Sequence, residues 1–235
     1  MNDKGHIASA FDRDLEGIQA LIMKMGGLVE EQITDAARSL EERDEELAET
    51  VRQRDARVDS LEDQVNVEAA RVLALRSPAA RDLRVVLSVL RISANLERMG
   101  DYAKNMAKRT GVLVQMQPMG ASASTLRRMS RAVDAMLKDA LDAYVQHDVE
   151  LAQAVRLRDQ EIDQMYNALF REFVTYMMED PRNITACMHL HFIAKNIERM
   201  GDHVTSIAEQ VVYLVTGSLP EDERPKKDRT SVAAG

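Results

Sequence analysis

The chain has 235 residues, a net charge of −8, one cysteine and no tryptophan, and Gly and Pro together supply only 15 residues. So little turn-forming material, with 5 Tyr and 4 Phe as the only aromatics, excludes a sandwich, a barrel or a Rossmann sheet and points to long helices. The acidic balance argues against non-specific nucleic-acid binding. Apolar runs are short, Val211–Val215 being typical, so no membrane-spanning helix is expected. Met1–Phe11 lacks the apolar stretch of a signal peptide. Cys187 alone cannot form an internal disulfide, which suits a reduced cytoplasm, the expected location.

In chain order, apolar spacing predicts a first helix over Asp12–Leu40 and a second over Glu45–Leu75. A third begins after Pro78. A break follows at Pro118-Met119-Gly120 and the small, polar stretch Ala121–Ser124. The fourth helix is expected over Thr125–Gln146, the fifth over Val149–Met178 and the sixth after Pro181. Ser77 and Asp180 each precede a proline and read as N-caps of the helices that follow. Ile162, Met165, Tyr166, Leu169, Phe170, Phe173 and Met177 recur every three or four residues, as do Ile193, Ile197, Met200, Val204, Ile207 and Val211. The segment 217–235 is polar, contains Pro220 and Pro225, and is expected to be a disordered tail.

The six helices are two copies of three. Asn95-Leu96-Glu97-Arg98-Met99-Gly100-Asp101 returns 101 residues later as Asn196-Ile197-Glu198-Arg199-Met200-Gly201-Asp202. Asp55-Ala56-Arg57-Val58-Asp59 returns 104 residues later as Asp159-Gln160-Glu161-Ile162-Asp163. The predicted fold is therefore all-α: two tandem three-helix bundles, residues 8–117 and 121–216.

The repeated acids have a geometric consequence. Residues four apart share a helix face, so Asp55 pairs with Asp59 and Glu97 with Asp101. If the second and third helices form an antiparallel hairpin about Pro78, Asp55 and Asp101 each lie 23 residues from it, and Asp59 and Glu97 each lie 19. At ~1.5 Å per residue both pairs reach the same level, roughly 30 Å from the turn. About Pro181, Asp159 and Asp202 lie 22 and 21 residues away, and Asp163 and Glu198 lie 18 and 17. Glu198 and Asp202 point about 140° and 180° from Ile193 at ~100° per residue, so an open, shallow site outside the core is expected.

Four carboxylates at one level repel, and a cation relieves that repulsion. Oxygen donors suit magnesium, calcium, manganese or oxidised iron; zinc, which prefers His or Cys, fits less well. Gly100 and Gly201, each inside a helix, suggest close approach of a neighbouring helix or a ligand. Cys187, His189 and His191 do not share one helix face and read as packing and solvent contacts. The 14 Met read mostly as core filler. Arg81 and Arg84 read as a solvated helix start. No phosphate-binding loop or nucleophile elbow is present, which argues against an enzyme.

The doubled Glu-Arg-Met-Gly-Asp motif (97–101 and 198–202), joined by Asp55/Asp59, Asp159/Asp163 and the Pro78–Arg84 segment Pro-Ala-Ala-Arg-Asp-Leu-Arg, resembles the PhoU family of phosphate-specific transport accessory proteins over residues 8–216. The resemblance implies two similar three-helix bundles, a homodimer, and multinuclear metal clusters on Asp55, Asp59, Glu97, Asp101, Asp159, Asp163, Glu198 and Asp202. It implies a non-catalytic negative regulator of phosphate uptake and of the phosphate-starvation response. The partners would be the ATPase subunit of the phosphate ABC transporter and a sensor histidine kinase, with no nucleic acid and contact with the membrane only through those partners. His203 stands where Tyr102 follows the first motif, so the surroundings of the two sites differ. The alternative is a di-iron carboxylate enzyme or iron store. Such bundles add Glu-x-x-His and bury their site; no Glu-x-x-His occurs here.

Overall fold

The computed structural model describes residues 3–220, and side chains from Phe11 onward. Among the described residues there are six α-helices: α1 Asp3–Glu42, α2 Glu45–Arg76, α3 Arg81–Leu113, α4 Ser122–Gln146, α5 Val149–Glu179 and α6 Ile184–Thr216, with a 3₁₀ turn at Pro181–Asn183 before α6. Helix α1 starts nine residues earlier than its apolar pattern suggests. Of the expected tail, residues 221–235 lie outside the described residues. No helix among the described residues is long and apolar enough to cross a membrane.

The corners repeat as the motifs do. Arg43 and His147 adopt left-handed conformations, with φ of 58° and 56°, and end α1 and α4. Each is followed by an aspartate N-cap: Asp44 accepts from Leu47 N at 2.9 Å and Asp148 from Leu151 N at 3.0 Å, satisfying amides that a helix start leaves unpaired. Asp180 also caps as expected, accepting from Arg182 N with Pro181 in the first turn position. Ser77 does not. It ends α2 in a left-handed conformation, its N–H donating to Leu73 O, and α3 begins only at Arg81 without a side-chain cap. The three residues Pro78–Ala80 form the link, so the two proline turns are not equivalent.

Helices α1, α3, α6 and α4 form a central ring in which each packs on the next; α2 covers α1 and α3, and α5 covers α4 and α6. One hydrophobic cluster runs through both bundles, including Ile22, Ile33, Leu96, Met99, Met106, Met136, Ile197 and Met200. Gly26 allows the close crossing of α1 and α4, since a Cβ there would lie 2.4 Å from Leu141 Cδ1. Helices α3 and α6 run antiparallel: His203 meets Asn95, while Arg109 lies over the Phe192 ring at 4.3 Å.

Candidate metal centres on paired helices

In the first bundle α2 supplies Asp55 and Asp59, and α3 supplies Glu97 and Asp101. Asp55 is only 2% exposed, whereas Asp59 is exposed and Glu97 and Asp101 are half-buried. Loss of water raises the Asp59 carboxyl above its ordinary range, and the charges of Asp55 and Asp101 raise it further against the opposing pull of Lys104. Glu97 is raised in the same way, by burial first and then by Asp101, Glu62 and Asp59 against Arg98. These mutual effects place the four carboxylates within electrostatic reach of one another. Glu62, which the spacing argument missed, belongs to the same acidic surface; it lies one helical turn beyond Asp59.

Lys104 sits among them. Its Nζ is 2.5 Å from Asp55 Oδ2 and 3.2 Å from Asp101 Oδ1, bridging α2 and α3. The i,i+3 spacing from Asp101 is the sequence signal that could have revealed it.

In the second bundle Asp159, Asp163 and Glu198 are all buried, at 6% exposure, and Asp202 is half-buried. Glu198 Oε1 accepts from Lys195 Nζ at 2.9 Å, while its Oε2 is buried without a hydrogen-bond partner. Burial holds the Glu198 carboxyl above its ordinary range; Lys195 opposes this and Asp202 and Asp163 add to it.

The expected shallow site outside the core is corrected here for Asp55, Asp159, Asp163 and Glu198. A single apolar stripe does not describe a helix such as α6, which packs against α3, α4 and α5 at once. A face turned about 140° from Ile193 is then covered by a neighbour rather than by water. Asp59 remains open as expected.

The motif glycines carry the close approach. A Cβ on Gly201 would lie 2.8 Å from Asp159 Oδ1, and one on Gly100 would lie 3.3 Å from Asp55 Oδ1 and 3.1 Å from Gln32 Oε1. Each glycine therefore opens a cradle in one helix for an aspartate of the next. Gln32 on α1, 1% exposed and with neither amide atom hydrogen-bonded, brings a third helix to the first cluster.

The donor set fits a hard cation: all oxygens, with an orphaned buried carboxylate oxygen on Glu198. As the side chains stand, no group of three or more His, Cys, Asp or Glu among the described residues is placed to hold a metal ion. Cys187, His189 and His191 do not assemble either. Cys187 is buried. His191 packs on the rings of Tyr166, Phe170 and Phe192, and His189 meets Arg109. Burial lowers the affinity of both imidazoles for a proton, helped by Lys195 and Arg109 respectively.

The whole arrangement has counterparts among known proteins. Over 223 residues the chain is 44% identical to the phosphate-specific transport system accessory protein PhoU homolog of Caulobacter vibrioides (strain NA1000 / CB15N), covering 95% of this chain and 97% of the relative. It is 46% identical over 226 residues to the Rhizobium meliloti (strain 1021) homolog, covering 96% and 95%. The crystal structure of PhoU from Pseudomonas aeruginosa superposes with a TM-score of 0.86 at 38% identity, covering 88% of this chain and all of that one. The phosphate transport system regulatory protein PhoU from Streptococcus pneumoniae gives 0.82 at 31% identity, covering 90% and 99%. These names describe accessory and regulatory proteins rather than enzymes. The PhoU domain profile matches twice, at residues 22–110 and 126–211, once on each set of paired acidic helices, and the chain belongs to the PhoU domain family.

Proposed function

We propose that the protein restrains phosphate uptake and the phosphate-starvation response by binding, with its two acidic clusters as metal-dependent parts of the binding surface. The partners in this reading are the ATPase subunit of the phosphate transporter and a sensor histidine kinase, engaged at the cytoplasmic face by a homodimer. The repeat units are residues 8–117 and 121–216. Similarity to phosphate-transport accessory proteins over nearly the whole chain carries the proposal. A binding protein shifts a partner between two states only by differing in affinity for them, so the kinase's inactive state must be the one it prefers.

The test is a deletion strain carrying a phosphate-starvation reporter, with phosphate and iron varied independently. The reporter is expected to stay active in phosphate-rich medium, and only when the kinase is present. A phenotype that tracks iron and ignores phosphate rejects the proposal in favour of iron storage.

A further inference from the structure

The two acidic clusters are built from the same motifs, yet their lysines are placed differently. In the first, Lys104 extends from α3 and joins Asp55 of α2 to Asp101 of α3. Thr205 occupies the matching position of the second repeat, and its hydroxyl donates to Gly201 O at 3.0 Å. Lys195, in turn, has Ala94 as its counterpart and pairs with Glu198 of its own helix. The first cluster therefore carries an ammonium spanning its two helices, at a position where the second carries a hydroxyl turned to its own backbone.

We propose that Lys104 is the built-in counterion of the first cluster, and that a divalent cation enters there only by displacing its ammonium from Asp55 and Asp101. This rests on the reading of the clusters as metal sites. Asp55 is almost fully buried, so its charge requires a partner, and Lys104 supplies it in the absence of metal. Lys104 itself is two-fifths exposed; its flexible stem lets the ammonium swing into water, which frees the Asp55 and Asp101 carboxylates to turn toward a cation. On the inner side, the unbonded Gln32 amide at Gly100 adds an oxygen beside Asp55 Oδ1, an available donor once the ammonium has left.

The experiment is Mn²⁺ binding to the full chain by calorimetry, in a background where Asp202→Asn and Asp163→Asn weaken the second cluster. Lys104→Thr, the residue native to the matching position, is compared with Lys104→Arg. The Mn²⁺ Kd of the first cluster is expected to tighten about tenfold or more in Lys104→Thr, the scale of a lost charge-assisted hydrogen bond, and to stay unchanged in Lys104→Arg. Thermal melts supply a second readout: Lys104→Thr lowers the Tm without metal, and Mn²⁺ restores it by more than in the parent. Unchanged or weaker affinity in Lys104→Thr overturns the proposal. Should the chain with both clusters native also bind no Mn²⁺, the metal-site reading itself fails; should that chain bind and Lys104→Thr make no difference, only the role of Lys104 fails. If Lys104→Thr does not fold, Lys104→Gln replaces it, with the same tightening expected and the same lack of change overturning the proposal.

Discussion

Tyr102 and His203 occupy matching positions in the two repeats and meet where α3 packs on α6, their ring centroids 5.6 Å apart and their planes inclined by 38°. The motif residues Asp101 and Asp202 immediately precede this pair, so the acidic clusters flank the junction of α3 and α6.

The junction is expected to contribute measurably to stability. His203 Nδ1 and Asn95 Oδ1 are 2.7 Å apart, and the guanidinium of Arg199 lies 6.0 Å from the Tyr102 ring centroid. His203→Ala should cost about 1–2 kcal/mol through the lost hydrogen bond and ring contact. Urea unfolding, with an unchanged m-value, checks this.

Gly201→Ala should destabilise despite the ~1 kcal/mol that alanine gains in helix propensity. Its Cβ at 2.8 Å from Asp159 Oδ1 must push a buried carboxylate out of its cradle, an overpacking cost of about 1–3 kcal/mol. Gly100→Ala, with 3.3 Å to Asp55 Oδ1, should be milder. Urea midpoints of the two variants are expected in that order.

The repeated ion pairs should not be worth the same. Asp35 on α1 holds Arg54 of α2 at 2.7 Å and Arg38 at 2.9 Å, with only 10% of its side chain exposed. The matching Asp139–Arg158 pair has side chains 38% and 39% exposed. Asp35→Ala is expected to cost about 1–3 kcal/mol, because it removes a nearly buried carboxylate that holds two partly exposed guanidiniums through charge-assisted hydrogen bonds. Asp139→Ala should cost about 0–1 kcal/mol, as solvated pairs do. Equal losses in denaturant melts contradict this ordering.

Glu198 should make the metal-free protein sensitive to pH. Its folded carboxyl is held above the ordinary value of 4.5, so the folded state binds the proton more tightly than the unfolded chain. Its contribution to stability is therefore largest below that ordinary value and declines as pH rises through the folded value. Glu198→Gln removes the decline. The variant should gain on the parent as pH rises from 4.5 to 7.5, and Mn²⁺ should reduce the difference. Parallel stability curves for the two proteins count against the assignment.

Replacing Asp101 and Asp202 together by Ala should lower bound metal while the helical circular dichroism persists. Both side chains are half-buried rather than core residues, so their loss leaves the hydrophobic cluster intact. Unchanged metal content in the folded double variant argues against these ligands.

Much of this protein is legible without coordinates. The motif offsets of 101 and 104 residues, the apolar spacing at three and four, and the Asp180 cap depend on local geometry, which sequence spacing encodes directly. The levels of Asp55, Asp59, Glu97 and Asp101 followed from helical rise and one antiparallel turn. What lay beyond reach depends on which helices neighbour one another. Glu198 is buried because α6 has helices on three sides; a helical wheel counts one stripe and cannot count neighbours. Ser77 ends a helix rather than starting one because the backbone of Pro78–Ala80 turns before α3 begins. Lys104 bridges Asp55 and Asp101 because α2 and α3 hold those side chains within reach of one ammonium. Spacing along one strand of sequence determines which residues share a face, whereas burial and ion pairing are properties of the faces that meet it, and only the packed tertiary structure brings those together.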